Sequence, residues 1–290
     1  MGTYHNAYNI LSDMREGVNE YSTALVQATD TYGKFTNTYL MQKMNRAVRL
    51  IYARLLKVNP DHFQTDAAVT VTSGVITLPW DFGMVRRLED ENDAKVFPVD
   101  VDKRPRSGGK GSRKLYRRQG NTLVLTDLSY SGTYHLWYWR KPRELDMGKA
   151  TAENTLAASS KLIADYYNGM MLEDVTGLQV GTISDYTAAH VITADITLAK
   201  DSYYGIVSDL PEMFHHLIAP LGGMIAKAEH PTSPEKPTKV EVELFRTEFA
   251  DAVSAFGHIQ GDVDVEDIFC DFGGGRMGGV EIPGQGYTIF

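Results

Sequence analysis

Apolar residues recur at helical spacing near both ends of the chain. In the N-terminal part the clearest series is Leu40, Met44, Val48, Ile51 and Leu55. These residues lie about one turn apart in a helix of 3.6 residues per turn, so they predict an amphipathic helix. Thr36 can cap its start, and Asn59 marks its end because a residue before proline avoids helical conformation. The first 58 residues are predicted to be largely helical.

Two further helices are predicted after Asp209. The first carries the apolar series Phe214, Leu217, Leu221, Ile225 and Ala228. Pro211 suits its first turn, and Pro220 is expected to kink it. The second follows the proline-rich linker 230–237, and its stripe is Phe245, Phe249, Val253 and Phe256. Because the N- and C-terminal stripes are complementary, we expect these helices to form one bundle.

Between the helical parts the apolar period changes from 3.6 to two. Val69 and Val71 alternate with polar residues, and Ser73-Gly74 separates them from the apolar run 75–78, which predicts a β hairpin. Five more strands are predicted at 84–88, 96–101, 114–118, 122–125 and 133–139. A second β segment, with strands near 170–173, 179–186, 190–197 and 203–207, is expected to form a small barrel or sandwich.

The predicted fold class is therefore α+β. It consists of a helical bundle from the N- and C-terminal helices, inserted antiparallel β regions and an extended C-terminal arm. The predicted segments are N-terminal helices at 1–62, an antiparallel β region at 63–150, a small inserted β module at 151–208, C-terminal helices completing the bundle at 209–257, and an extended glycine-rich arm at 258–290.

Composition excludes several protein classes. The single cysteine, Cys270, cannot form an intrachain disulfide, which argues against a disulfide-built secreted scaffold. The chain has no run of 18 apolar residues and no signal-peptide layout at Met1, so we expect a protein that is soluble and intracellular when made, without membrane contact. A formal charge of -8 argues against a protein that wraps nucleic acid.

Charge is unevenly distributed along the chain. The stretch from Asp102 to Arg118 has eight lysines or arginines and one acid, whereas Lys239 to Phe290 has three against ten. We expect the basic stretch from Lys103 to Arg118 to sit on a β hairpin and to contact an acidic neighbour or DNA, the alternative being a solvated loop. Its candidate contact residues are Arg104, Arg106, Lys110 and Arg113.

The sequence contains no convincing catalytic motif. Adjacent His215 and His216 point about 100 degrees apart on a helix and cannot share one metal ion as an i, i+4 pair can. The glycines around Lys110 lack the spacing of a phosphate-binding loop, and the acidic run 262–267 lacks the glycine of a calcium loop. We therefore expect a protein that is not an enzyme and has no catalytic residues, cofactor or metal site.

Two short motifs indicate a family. Leu78-Pro79-Trp80-Asp81-Phe82 resembles the L-P-x-D-F element of tailed-phage head-to-tail connector, or adaptor, proteins. The stretch 165–170, followed by 183–187, is similar to a β module of the form Y-x-G near I-x-D-Y-x that recurs in phage structural proteins. These three stretches comprise 16 of the 290 residues.

The resemblance implies a structural virion protein made in the host cytoplasm and located in the neck, at the head–tail interface. It implies a homo-oligomeric ring of about twelve copies. The ring would bind the portal protein above and tail or nozzle proteins below, and genomic DNA would pass through its lumen without specific binding during ejection. Another neck or tail component, or a virion-associated hydrolase, is the alternative interpretation.

The glycine-rich arm at 258–290 is predicted to be the main partner-binding element, the alternative being a tail without a role. Fixing one residue costs roughly 1 to 2 kcal/mol of conformational entropy, which the few apolar groups of the arm cannot offset alone. A partner surface would have to supply the burial. The expected anchors are Ile268, Phe269, Phe272, Val280, Ile282, Tyr287, Ile289 and Phe290.

The basic stretch gives the first testable prediction. Neutralising Arg104, Arg106, Lys110 and Arg113 together is expected to weaken particle assembly or genome retention. The loss should depend on salt concentration, because exposed charges are screened over a distance of about 10 Å at 0.1 M. Particle yield and DNA content at several ionic strengths measure both effects, and unchanged particles would support a solvated loop instead.

Overall fold

The computed structural model describes residues 6–18, 35–99, 115–126, 128–230 and 235–256. Its α-helices are α1 (Ala7–Gly17), α2 (Asn37–Val58), α3 (Ile218–Ala228) and α4 (Lys239–Phe256). Two 3₁₀ helices lie at Pro60–Phe63 and Glu212–Leu217. The strands are β1 (Gln64–Thr72), β2 (Val75–Thr77), β3 (Phe82–Glu89), β4 (Lys95–Pro98), β5 (Leu115–Gln119), β6 (Thr122–Leu125), β7 (Gly132–Arg140), β8 (Met147–Lys149), β9 (Met171–Asp174), β10 (Gln179–Tyr186), β11 (Ile192–Ala194) and β12 (Tyr203–Ile206).

The described N-terminal helices begin at side-chain caps. The Asn6 side chain accepts a hydrogen bond from the backbone of Asn9, and the Thr36 hydroxyl accepts one from Tyr39. Each bond satisfies a backbone N–H group that has no partner within the helix. The Thr36 cap and the predicted end of α2 before Asn59 are confirmed.

Seven strands form a closed barrel in the order β1-β2-β6-β5-β4-β3-β7, with β7 pairing back to β1. The β1–β2 turn has Ser73 at φ 50° and Gly74 at φ 71°, the left-handed conformation of a two-residue hairpin loop. Pairing is antiparallel except between β4 and β5. The interior has its own apolar core, whose most buried members include Val71, Ile76, Leu88, Leu123, Tyr134 and Leu136.

The other five strands form an open antiparallel sheet in the order β11-β10-β9-β12-β8. Its apolar face packs against the helices, so sheet and helices share one core. The sheet contributes Leu172, Ile183, Tyr186, Tyr204 and Ile206, and the helices contribute most members of the three apolar series identified in the sequence. We call this second part of the molecule the helix–sheet body.

Within the body, α3 packs against both N-terminal helices at a glycine. A Cβ atom on Gly222 would lie 2.9 Å from Sδ of Met14 in α1 and 3.5 Å from Cα of Met44 in α2. Only glycine allows this approach without displacement of a neighbour. α4 joins the same core through Phe249, whose ring lies 6.0 Å from that of Phe214.

The predicted fold class is wrong. The molecule is not a helical bundle with inserted strands but a mixed α and β structure that contains a closed seven-stranded barrel. The helices bury much of their apolar surface against the five-stranded sheet, and the barrel has a separate core. The second β segment is likewise an open sheet rather than a small barrel or sandwich, and it includes β8, which lies within the first predicted β region.

Two local predictions also need correction. The helix expected across 211–228 is a 3₁₀ helix up to Leu217 and an α-helix from Ile218. Pro220 therefore lies in the first turn of α3, where a missing N–H group costs little, and the change in helix type precedes it.

Among the described residues no helix has both the length and the apolar character needed to cross a membrane.

The shared core predicts that substitutions at two positions on α4 differ in their effect on stability. Phe249 is 0% exposed and Leu244 is 59% exposed. Phe249→Ala is expected to lower the free energy of unfolding by about 3–5 kcal/mol, because it removes a buried ring and leaves a cavity. Leu244→Ala, the matched control, should change it by less than about 0.5 kcal/mol. Chemical denaturation measures both, and equal losses would contradict the packing of α4.

Candidate protein-interaction site

A groove of about 860 Å³ runs between the N-terminal half of α2 and strand β8. Its size falls within the range of clefts that hold ligands. The apolar part of its lining includes Met41, Leu145, Met147, Ala157 and Tyr167. A concave surface of this kind, bordered by a strand, can accept a peptide segment.

The side chain of Asn45 fixes one end of the groove. It donates a hydrogen bond to the carbonyl oxygen of Leu145 (3.1 Å) and accepts one from the Leu145 N–H group (2.7 Å). These two residues are 100 positions apart in the chain. The bonds join α2 to the segment that enters β8, and Asn45 itself is buried.

Strand β8 is an edge of the five-stranded sheet. It pairs with β12 on one side, with Gly148 opposite Tyr204, and with no described strand on the other. The segment around Ala157 crosses one face of this strand at Gly148. A Cβ atom on Gly148 would lie 2.7 Å from Cβ of Ala157 and 3.2 Å from the Tyr204 hydroxyl, so this close crossing requires glycine.

A buried carboxylate lies beneath the groove. Asp146 accepts hydrogen bonds from the hydroxyl groups of Ser160 (2.5 Å) and Tyr204 (3.1 Å). The Tyr204 hydroxyl also accepts a bond from the Ala157 N–H group (3.0 Å). Burial raises the pKa of Asp146, although these hydrogen bonds and the charge of Lys161 oppose the shift. The network joins β8, β12 and the crossing segment.

The rim of the groove carries exposed ion pairs. Glu144 pairs with Arg49 (3.1 Å) and with Lys161 (2.5 Å), and Lys149 pairs with Asp201 (2.8 Å). Three cations thus face two partly exposed carboxylates. Exposed pairs of this type contribute little to stability, so a bound segment could exchange them at low cost.

The other basic residues of α2 do not reach this groove. Lys43 and Arg46 both pair with Glu229, which follows α3. Burial of Glu229 raises its pKa, but the two cations outweigh burial and lower it overall. Glu241 of α4 pairs with Lys227 of α3.

The two motifs that indicated the family lie together. The ring of Trp80 stacks on that of Tyr166, with centroids 4.7 Å apart. Asp81 accepts a hydrogen bond from the Tyr138 hydroxyl (2.8 Å), which fixes the turn before β3. The Tyr166 hydroxyl accepts a bond from the Glu144 N–H group (2.8 Å). The motifs therefore form one contact between the barrel and the helix–sheet body.

All twelve site residues expected from the sequence lie outside the described residues. These are Arg104, Arg106, Lys110 and Arg113 of the basic stretch, and Ile268, Phe269, Phe272, Val280, Ile282, Tyr287, Ile289 and Phe290 of the arm. The described end of the basic stretch, 115–118, belongs to β5, which forms a hairpin with β6. β4 and β5, the strands on either side of the undescribed residues 100–114, pair in parallel.

No group of three or more metal-ligating side chains occurs in the part of the chain that the structure describes. His215 is buried, and its Nε2 atom lies 2.7 Å from the carbonyl oxygen of Leu210. The sequence did not point to the groove or to Asp146. β8 has only three residues, and the contact between Asn45 and Leu145 leaves no local signal in the sequence.

The buried carboxylate generates a prediction about pH. Because the folded-state pKa of Asp146 is raised, its contribution to stability is fully present below the pKa of the unfolded chain and is lost as pH rises through the folded-state value. Asp146→Asn removes this ionisation. The free energy of unfolding of this variant, minus that of the wild type, should therefore rise between pH 4 and pH 7. Denaturation of both proteins at each pH measures this difference. A constant difference would contradict the raised pKa.

Comparison with known proteins identifies the family. A search of curated proteins found no match to the chain. The profile of the SU10 adaptor protein family matches residues 11–173. The matched region contains the whole barrel, α2, β8 and both sides of the contact between Trp80 and Tyr166. Because it covers more than half of the chain, the protein belongs to the SU10 adaptor protein family of phage head-to-tail adaptors.

Proposed function

We propose that the protein is a non-catalytic ring subunit at the head-to-tail interface of a tailed phage. In this role it binds the portal protein on one side and tail or nozzle proteins on the other, and the ring surrounds the channel through which DNA leaves the head. The observation that carries the proposal is the family match over residues 11–173. Adaptor families act by joining other virion proteins, which makes the chain a structural component.

Surface features support an assembly role. Val240 and Leu244 lie one turn apart on α4 and are 76% and 59% exposed. Leu178, at the tip of the β9–β10 hairpin, is 82% exposed. Adjacent exposed apolar side chains are typical of interaction surfaces when they form a patch. The barrel and the helix–sheet body offer separate faces for different partners.

The charge of the chain supports passage of DNA without tight binding. Its formal charge is -8, whereas proteins that hold DNA neutralise phosphates with clustered lysines and arginines. An acidic lumen would repel the backbone at short range and so would not retard the genome. Binding to portal and tail proteins then depends on protein surfaces rather than on nucleic acid.

Mass measurement tests the ring. Native mass spectrometry of the purified chain, alone and with the portal protein, is expected to give one closed oligomer of about twelve copies. Quantification of the chain in intact particles should give the same number of copies. A chain that stays monomeric in both settings would contradict the proposal. Hydrolysis of cell-wall glycan by that monomer would support the virion-associated hydrolase instead.

A further inference from the structure

We propose that the outer side of α4 in one copy of the chain docks on the outer face of strands β2, β6 and β5 in a neighbouring copy. The inference rests on the proposed ring assembly, since it requires two copies in contact. It deepens that proposal by naming the two surfaces that link neighbouring subunits.

The outer side of α4 is apolar near the start of the helix and acidic near its end. Val240, Leu244 and Asp251 are spaced by four and seven residues, so they lie on one side of the helix. All three are exposed. Glu248, one turn after Leu244, flanks them. The buried residues of α4 lie on its other side, where they join the core of the helix–sheet body.

A row of side chains on the barrel has the matching order, from apolar to basic. The register of the sheet places Val75 of β2 opposite Val124 of β6, and Val124 opposite Arg117 of β5. Residues in register point to the same face of a sheet, so these three side chains form one row. A chain neighbour of each belongs to the buried core of the barrel, and the row therefore faces outward.

The two surfaces carry opposite charges that have no partners in the single chain. Arg117 and Arg118 are the charged residues of β2, β5 and β6, and neither forms an ion pair with another described residue. On α4, Glu248 and Asp251 likewise form no ion pair within the described ranges. Contact between the two surfaces gives these charges partners, and such complementarity fixes how two proteins dock.

The spacing along the two surfaces also agrees. Leu244 and Asp251 are seven residues apart, which is about 10.5 Å along the axis of α4. Val75 and Arg117 are separated by two strand spacings, or about 9.5 Å. A helix that lies across the strands with Leu244 on Val75 therefore has Asp251 opposite Arg117.

A second copy is the occupant because neither surface covers the other within one chain. Val240 and Leu244 stay 76% and 59% exposed, and Val75 and Arg117 are exposed in the same molecule. The two surfaces differ, so each copy offers α4 to one neighbour and its barrel to the other, and repeated contacts of this kind close into a ring. Phosphate groups of DNA could pair with Arg117 but would leave Val240 and Leu244 exposed.

Charge reversal in the nuclease-treated, full-length chain tests the proposal. Arg117→Glu and Asp251→Arg each place like charges at every contact, so the protein concentration for half-maximal assembly should rise at least about tenfold. Native mass spectrometry measures assembly, with the portal protein added if the wild type requires it. Lys200→Glu and Glu153→Arg, at exposed positions outside both surfaces, are the matched controls and should assemble like the wild type. Circular dichroism reports the folding of every variant.

Mixing the two single variants identifies the occupant. In a ring that alternates Arg117→Glu and Asp251→Arg chains, every contact again joins opposite charges, so the equimolar mixture should assemble like the wild type. The double variant should do the same. Recovery in the double variant without recovery in the mixture would overturn the second copy and indicate contact within one chain. Loss with Arg117→Glu that neither combination reverses would also overturn it and indicate another partner, such as DNA.

A disulfide gives a second measurement that needs no charge reversal. In a Cys270→Ser background, Leu244→Cys chains are mixed with differently tagged Val75→Cys or Val124→Cys chains. Thr193→Cys, exposed on the edge strand β11, replaces the barrel positions in the control. Mixed-tag dimers are expected with at least one barrel position, at least about tenfold above the control, because docking raises the local thiol concentration.

The remaining outcomes separate this inference from the ring itself. Rings that form normally with both single charge variants, or rings without mixed-tag disulfides, would overturn the docking surface and leave the proposed function intact. A wild type that stays monomeric, alone and with the portal protein, would contradict both the docking surface and the ring.

Discussion

The helix–sheet body depends on the close contact of three helices at Gly222. There a Cβ atom on Gly222 would lie 2.9 Å from the flexible end of the Met14 side chain in α1 and 3.5 Å from Cα of Met44 in α2, so α3 is in close contact with both helices. The approach buries the apolar stripe of α2 completely, and the five-stranded sheet closes the same core from the other side. With one side of α2 held in this way, a different side faces β8 and forms the groove. The fold thus produces its candidate interaction site as a consequence of helix packing.

Local features of this structure could be predicted from the sequence, whereas long-range pairing could not. The stripe of α2, its Thr36 cap and the hairpin turn at Ser73-Gly74 follow from periodicity and turn chemistry, which act over a few residues. Closure of the barrel depends on pairing between β1 and β7 and on the parallel pair β4–β5. Alternation along one strand does not specify its partners. The fold class was wrong for this reason, since the helical stripes match a sheet as well as they match each other.

In the candidate site, too, local features could be predicted from the sequence and long-range contacts could not. The two family motifs could be identified from sequence, and the structure explains why they occur together: Trp80 and Tyr166 join the barrel to the body. The groove could not be predicted, because it combines α2 with a three-residue edge strand about 100 positions away. The buried network of Asp146, Ser160 and Tyr204 holds that edge strand in place, and Gly148 leaves space for the segment that crosses it. An adaptor needs surfaces that are fixed before its partners arrive, and these contacts fix one.

A chain that joins head to tail must lie in the neck of the particle. A cryo-electron microscopy map of the intact phage neck, at a resolution that traces side chains, tests it most directly. We expect a closed ring of this chain between the portal and the first tail protein, with DNA or an open channel on its axis. Density for the chain at the tail tip, in the capsid shell or as isolated single copies would contradict it.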